Sequence, residues 1–165
     1  MNAFTLAGWD NFFVASAGAA AALAGLLFVA LSINLARILA IPGLASRAGE
    51  TFVPLTVVLV ISLEALVPGL WIRFFAVELL VVGTIAWLFA TIMEQRAYRA
   101  HHYRKAQHLL LRIGINQPAT LFIPISGLSV ILGAPGGFYW LVPAVLLSLV
   151  GAMLNAWILL VEILR

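Results

Sequence analysis

From Asn11 the chain runs to Arg37 without a charged side chain, and a stretch of that kind decides the fold class before any other feature is weighed. A helix needs about 20 mostly apolar residues to cross the hydrocarbon core of a bilayer. A helix on a water-soluble domain would instead show a polar face along its length. Composition extends the argument to the whole chain. Of 165 residues, 64% are apolar and 9% charged, with a mean hydropathy of +1.14, whereas soluble domains are about one-quarter charged. A chain this short can enclose only part of such a surface in one core. The expected fold class is therefore all-α, a polytopic transmembrane helical bundle forming a single domain over residues 1–165. The absence of cysteine excludes a disulfide scaffold. The pI near 10 rests on a net charge of only +3, with the basic residues concentrated in one loop. No nucleic-acid partner is expected.

Five apolar runs predict five helices, at about 11–40, 52–71, 74–93, 118–132 and 138–163. Lys and Arg collect in cytoplasmic loops and set orientation. With the N-terminus outside and the C-terminus cytoplasmic, the inner side holds Arg37, Arg47, Arg96, Arg99, Arg104, Lys105, Arg112 and Arg165. The outer side holds only Arg73. Trp and Tyr gather at membrane interfaces, and Trp9, Trp71, Tyr139 and Trp140 fall at the proposed outer ends. No Lys or Arg precedes the first run, so a retained helix is expected rather than a cleaved leader. A re-entrant fourth segment is the topological alternative and fits the charge split less well.

Ile41-Pro42-Gly43 is expected to stop the first helix. Val67-Pro68-Gly69 and Gly133-Ala134-Pro135-Gly136-Gly137 read as outer turns, and Asn116-Gln117-Pro118 as a helix start. Pro124, Ser126, Gly127 and Ser129 predict an interruption in the short fourth segment. Such breaks adjust packing in some membrane proteins and expose backbone to substrates in others.

Inside a bilayer, helices associate through close contact between small residues and through polar pairs. Candidate packing positions are Gly18, Ala21, Ala22 and Gly25 on the first helix, and Ala76, Gly83 and Ala90 on the third. Ala144, Ser148, Gly151, Ala152 and Asn155 form the set on the fifth. Asn34 and Asn155, near the inner ends, are expected to hydrogen-bond between helices. These stripes fit packing within one bundle or an interface between copies.

Glu64 and Glu78 stand out because an acid within hydrocarbon is expensive and normally faces the bundle interior, a wet cavity or a partner. Each lies seven residues from Trp71, so both are expected about 10 Å in from the outer turn, at equal depth. Spacing does not say whether they face each other. Pro68 lacks an N–H, which should free the carbonyl of Glu64 and complete an oxygen-rich site for a proton or hard cation. Alternatively, a protonated acid could lock two helices, bonded to Ser62, Thr84 or a backbone carbonyl. Glu78 points about 200° from Ala76 at 100° per residue. The third helix is thus expected to be central or shared with another subunit.

The loop over 94–112 is basic and expected to be cytoplasmic. Its Arg96, Arg99, Arg104, Lys105 and Arg112 should touch anionic lipid headgroups, at about 1 kcal/mol each. No proline or glycine occurs in it, which allows the third helix to continue inward. His101, His102 and His108 lack the cysteines or clustered carboxylates of a metal shell, and Lys105 lies among them, so no metal and no cofactor is expected. No nucleophile elbow, phosphate loop or His-Glu-x-x-His motif is present, and an enzyme is not expected.

Trp9-Asp10-Asn11-Phe12-Phe13, the alanine/glycine tract after it and Leu26-Leu27-Phe28-Val29-Ala30-Leu31-Ser32-Ile33-Asn34-Leu35 resemble the start of small uncharacterised bacterial integral membrane proteins. The likeness covers the first helix. It implies a multi-pass protein of a bacterial cytoplasmic membrane and brings no activity or functional residue. Taken together, the sequence predicts a non-enzymatic structural or accessory subunit, packed in a homo-oligomer or larger membrane complex. The alternative is a small oligomeric proton or cation channel or carrier using Glu64, Glu78 and the carbonyl freed by Pro68.

Overall fold

A computed structural model describes residues 3–40, 44–99 and 106–164. Its helices are α1 (Asp10–Ile33), α2 (Leu35–Ala40), α3 (Leu44–Ala65), α4 (Ile72–Arg99), α5 (Ala106–Leu132) and α6 (Leu141–Leu164), with a 3₁₀ turn over Gly137–Trp140 before α6. Four stretches, Asp10–Ile33, Ile72–Gln95, Gly114–Leu132 and Gly137–Ile158, are long and apolar enough to cross a membrane. At most 39% of any of them is buried within the chain. The rest presents residues such as Leu26, Phe28, Ile85 and Leu146 outward. Apolar surface on that scale needs an apolar solvent. This is a multi-pass helical membrane protein. The apolar part of α3, Thr51–Ala65, is shorter than the other four.

The ends of the helices depart from the sequence reading in four places. The first predicted run is interrupted at Asn34, whose side-chain amide donates to Ala30 O at 2.9 Å while its backbone N–H bonds to Leu31 O. An amide side chain that bonds the preceding turn competes with helix continuation, so Asn34 acts within its own helix, not between helices. The second helix begins at Leu44 and ends at Ala65, not over 52–71. Past Ala65 the chain tightens: Leu66 N–H bonds Leu63 O and Val67 N–H bonds Glu64 O, before Pro68 and a left-handed Gly69 make the expected turn.

The fourth helix neither starts at Asn116 nor breaks. It runs unbroken from Ala106 with Pro118 and Pro124 inside it, as membrane helices allow when neighbours support the chain. The third and fifth predicted helices correspond to α4 and α6, and α4 does continue inward, to Arg99. Most of the predicted 94–112 loop therefore lies on the helical ends of α4 and α5, and residues 100–105 are outside the described residues.

One cluster fixes how the helices run. Trp9 and Phe13 from the start of α1 meet Ile61 and Ala65 from the end of α3, and Phe75 and Leu79 from the start of α4. Ile123 of α5 and Phe138 and Leu141 before and at the start of α6 complete it. Successive long helices thus alternate in direction. The segment before α1 is strapped to this end, with Phe138 N–H donating to Ala3 O at 2.8 Å. Trp9 belongs to this core and is buried, with its ring 5.1 Å from that of Tyr139. It is therefore not the interfacial anchor expected of it; Trp71, at 81% exposure, has the surroundings of one.

Packing is closest between α4 and α5. A Cβ on Gly83 would stand 2.6 Å from Pro124 Cδ, and one on Gly127 would collide with Ala76 O and lie 2.7 Å from Leu80 N. The residues read as a break in the fourth segment are the ones that let it reach α4. Ser126 and Ser129 tie α5 to the following turn. Ser126 Oγ donates to Gly137 O at 3.0 Å, and Ser129 Oγ donates to Ala134 O and accepts from Gly137 N–H. Elsewhere α3 packs on α1 and α6, and α6 on α5. Helix α4 is accordingly peripheral, not central: α5 covers one side, and Phe74, Val77, Val81, Ile85 and Leu88 are exposed.

This seam gives a direct test. Gly127→Ala should cost about 1–3 kcal/mol, the usual penalty of overpacking, and lower the unfolding midpoint in detergent. Gly114→Ala on α5, where a Cβ meets nothing within 4 Å, should leave the midpoint unchanged or slightly raised. Equal responses at the two positions would contradict the seam.

Candidate functional site

The turn at Pro68-Gly69 folds α4 back alongside α3, and this brings the two acids together. Glu64 lies in the last turn of α3 and Glu78 in the second turn of α4. Their carboxyl groups come within interaction range of each other. Glu64 Oε2 is buried without a partner. Helix α3 ends earlier than expected, so Glu64 is nearer the turn than the 10 Å reckoned from Trp71 by helix rise. The pair also bridges two helices that otherwise contact each other sparingly, since α4 rests mainly on α5.

Two parts of the predicted site are not assembled. The Glu64 carbonyl accepts from Val67 N–H at 2.9 Å, so Pro68 does not leave that oxygen without an intrahelical partner. The tightened last turn supplies the donor that Pro68 lacks. The hydroxyls considered as partners are also elsewhere: Thr84 Oγ1 donates to Leu80 O on its own helix, and Ser62 Oγ is buried without a partner.

The small-residue positions divide into two groups. Ala76 and Gly83 are consumed by the α4–α5 seam, while Ala144, Ser148, Gly151 and Ala152 are buried in the bundle. A Cβ on Gly151 would stand 3.0 Å from Asn116 Oδ1. Ala90 and Asn155 are half-buried. On α1 the outcome is the opposite. Its buried side is Phe13, Ser16, Ala17, Ala20 and Leu27, whereas Gly18, Ala21, Ala22 and Gly25 are exposed, with open space around both glycines.

A second polar group, which the sequence reading missed, joins α4 to α5 at the opposite end from the acid pair. Gln117 Oε1 accepts from Trp87 Nε1 at 2.8 Å, and Gln117 Nε2 donates to Glu94 Oε2 at 2.7 Å and to Thr91 Oγ1 at 3.2 Å. Asn116 flanks the same carboxyl. At about 0.6 kcal/mol for an average interhelical bond in a membrane, the three together are worth roughly 2 kcal/mol. The signal was the spacing Trp87, Thr91, Glu94, one face of a helix. It was obscured because Glu94 opens the basic segment and Gln117 precedes a proline.

The side chains of Arg96, Arg99 and Arg112, and Arg104 and Lys105 entirely, lie outside the described residues, as do His101, His102 and the His108 side chain. Among the described residues no group of three or more His, Cys, Asp or Glu is placed to hold a metal. In comparisons with known proteins, no family model, no curated protein and no solved structure matches this chain.

Proposed function

We propose that the protein is a non-enzymatic, five-span membrane subunit that assembles through the outward face of α1. The observation that carries this reading is the contrast between stripes. The small residues of α4 and α6 are spent inside the bundle, while Val14, Gly18, Ala21, Ala22, Gly25 and Val29 lie along one exposed side of α1. Small residues four apart let two helix backbones approach closely, which is how helices associate where water supplies no drive. A second copy is the simplest occupant, because a two-fold interface pairs one face with itself; a larger membrane complex is the other. The chain has no cysteine, so one introduced thiol reports on one position. Ala22→Cys should form a disulfide-linked dimer in oxidised membranes, and Leu88→Cys on exposed α4 should not. Equal cross-linking at both positions, or none at Ala22, would remove the self-associating form.

In this reading the N-terminus is outside and the C-terminus cytoplasmic. The eight-to-one split of basic residues supports it, as does the alternation of helix directions. The shorter apolar part of α3 would then cross with help from the polar turns that precede it. In sealed right-side-out vesicles an impermeant thiol reagent should label Ala7→Cys directly and Arg165→Cys only after permeabilisation. Labelling of both from one side would overturn the arrangement. The bilayer itself is the remaining partner, with anionic headgroups meeting the basic segment between α4 and α5.

The contact between Glu64 and Glu78 favours a second reading, a proton or cation carrier. Two neighbouring carboxyls within a membrane can relay a proton when one helix moves. On that reading Glu64→Gln with Glu78→Gln should abolish proton flux in reconstituted liposomes. Unchanged flux would leave the pair as a clasp between α3 and α4.

A further inference from the structure

Beside the Gln117 group the lower parts of α3, α4, α5 and α6 line a partly open cavity of about 40 Å³. Val53 and Pro54 of α3, with Phe89 and Met93 of α4, form its apolar wall. Its polar groups are Glu94, Asn116, Thr120 and Ser148. Two of them are unsatisfied: Glu94 Oε1 and Ser148 Oγ are buried without hydrogen-bond partners, and Ser148 is only 2% exposed. The other Glu94 oxygen is held by Gln117, which fixes the carboxyl in place. Thr120 spends its proton on the Asn116 carbonyl at 3.0 Å, so its oxygen offers lone pairs to the cavity. Among the described residues no Lys, Arg or His lines the space.

We propose that this cavity binds one small monovalent cation, of sodium size, between Glu94 Oε1, Ser148 Oγ and Thr120 Oγ1. A carboxylate held beside this cavity gains from a counter-charge, and oxygen donors suit a hard ion. A single carboxylate balances one positive charge and no more. The site is separate from the Glu64–Glu78 pair and does not depend on the assembly reading.

The test uses the whole protein in detergent, with sodium chloride replaced by choline chloride at constant ionic strength. Sodium should raise the unfolding midpoint saturably by a few degrees, as ligands that bind only the folded state do. Glu94→Gln should abolish that response, and Ser148→Ala should raise the half-saturating concentration at least fivefold. Equilibrium dialysis of the wild type against radioactive sodium should give close to one ion per chain, which keeps the proposal testable if Glu94→Gln does not fold. Identical midpoints in sodium and choline, or no retained sodium, would mean a buried water only and would overturn the proposal. So would a full sodium response in Glu94→Gln.

Discussion

The close approach of α4 and α5 organises this molecule. In a medium as apolar as the side chains, burying leucine gains little, and helices hold together where their backbones come near and their polar groups meet. Gly83 under Pro124 and Gly127 over the Ala76 carbonyl bring the two axes together along the middle of the seam. That approach carries Gln117 into reach of Trp87, Thr91 and Glu94. A bulkier residue at either glycine would separate donors from acceptors as well as strain the packing. Steric fit and hydrogen bonding are therefore one interaction here, in two places along the same pair of helices.

Both groups of buried polar atoms follow from where α4 finds its neighbours. One side of α4 rests on α5 and satisfies its polar groups there. The other side faces α3 with little packing between them, and the carboxyl pair occupies the upper part of that gap. The cavity beside Glu94 occupies the lower part. Among the described residues, the buried oxygens of Glu64 and Glu94 that lack partners belong to the two polar groups at this loosely packed boundary. Polar atoms within hydrocarbon persist only when a partner, an ion or a water answers them, so the α3–α4 boundary is where ligands of any kind have the most to gain.

The class of fold was readable from the uncharged runs, because length and apolarity are properties of the chain alone. The helix limits were less so, and each error has a physical origin. Asn34 was read as a polar contact between helices, yet its amide found the nearer carbonyl of Ala30. Pro124 and Gly127 carry the composition of a break, but the same lack of bulk serves close packing, and only the presence of α4 decides between the two. Pro68 removes a donor, as the sequence says; which other N–H then serves the Glu64 carbonyl depends on how the last turn tightens. The meeting of Glu64 with Glu78 needed the rotation of two helices, which spacing along the chain does not contain. The Gln117 group was hidden for a related reason, since its members come from two helices and look unremarkable on each.

The contrast between α1 and the other helices follows from the same rule. Small residues cost little on a helix surface and are useful only where another backbone comes close. On α4 the backbone of α5 does, and on α6 the side chains of Asn116 and Ile115 close on Gly151, so an added carbon at either glycine would require a shift in its neighbours. On α1 the larger residues, Phe13 and Leu27, make the contacts with the bundle, and the side bearing Gly18 and Gly25 is left flat and open. A helix facing only lipid gains nothing from flatness, because acyl chains conform to leucine as readily as to alanine. Flatness gains value when a rigid surface is laid against it, and among the described residues no such surface is offered to this side of α1.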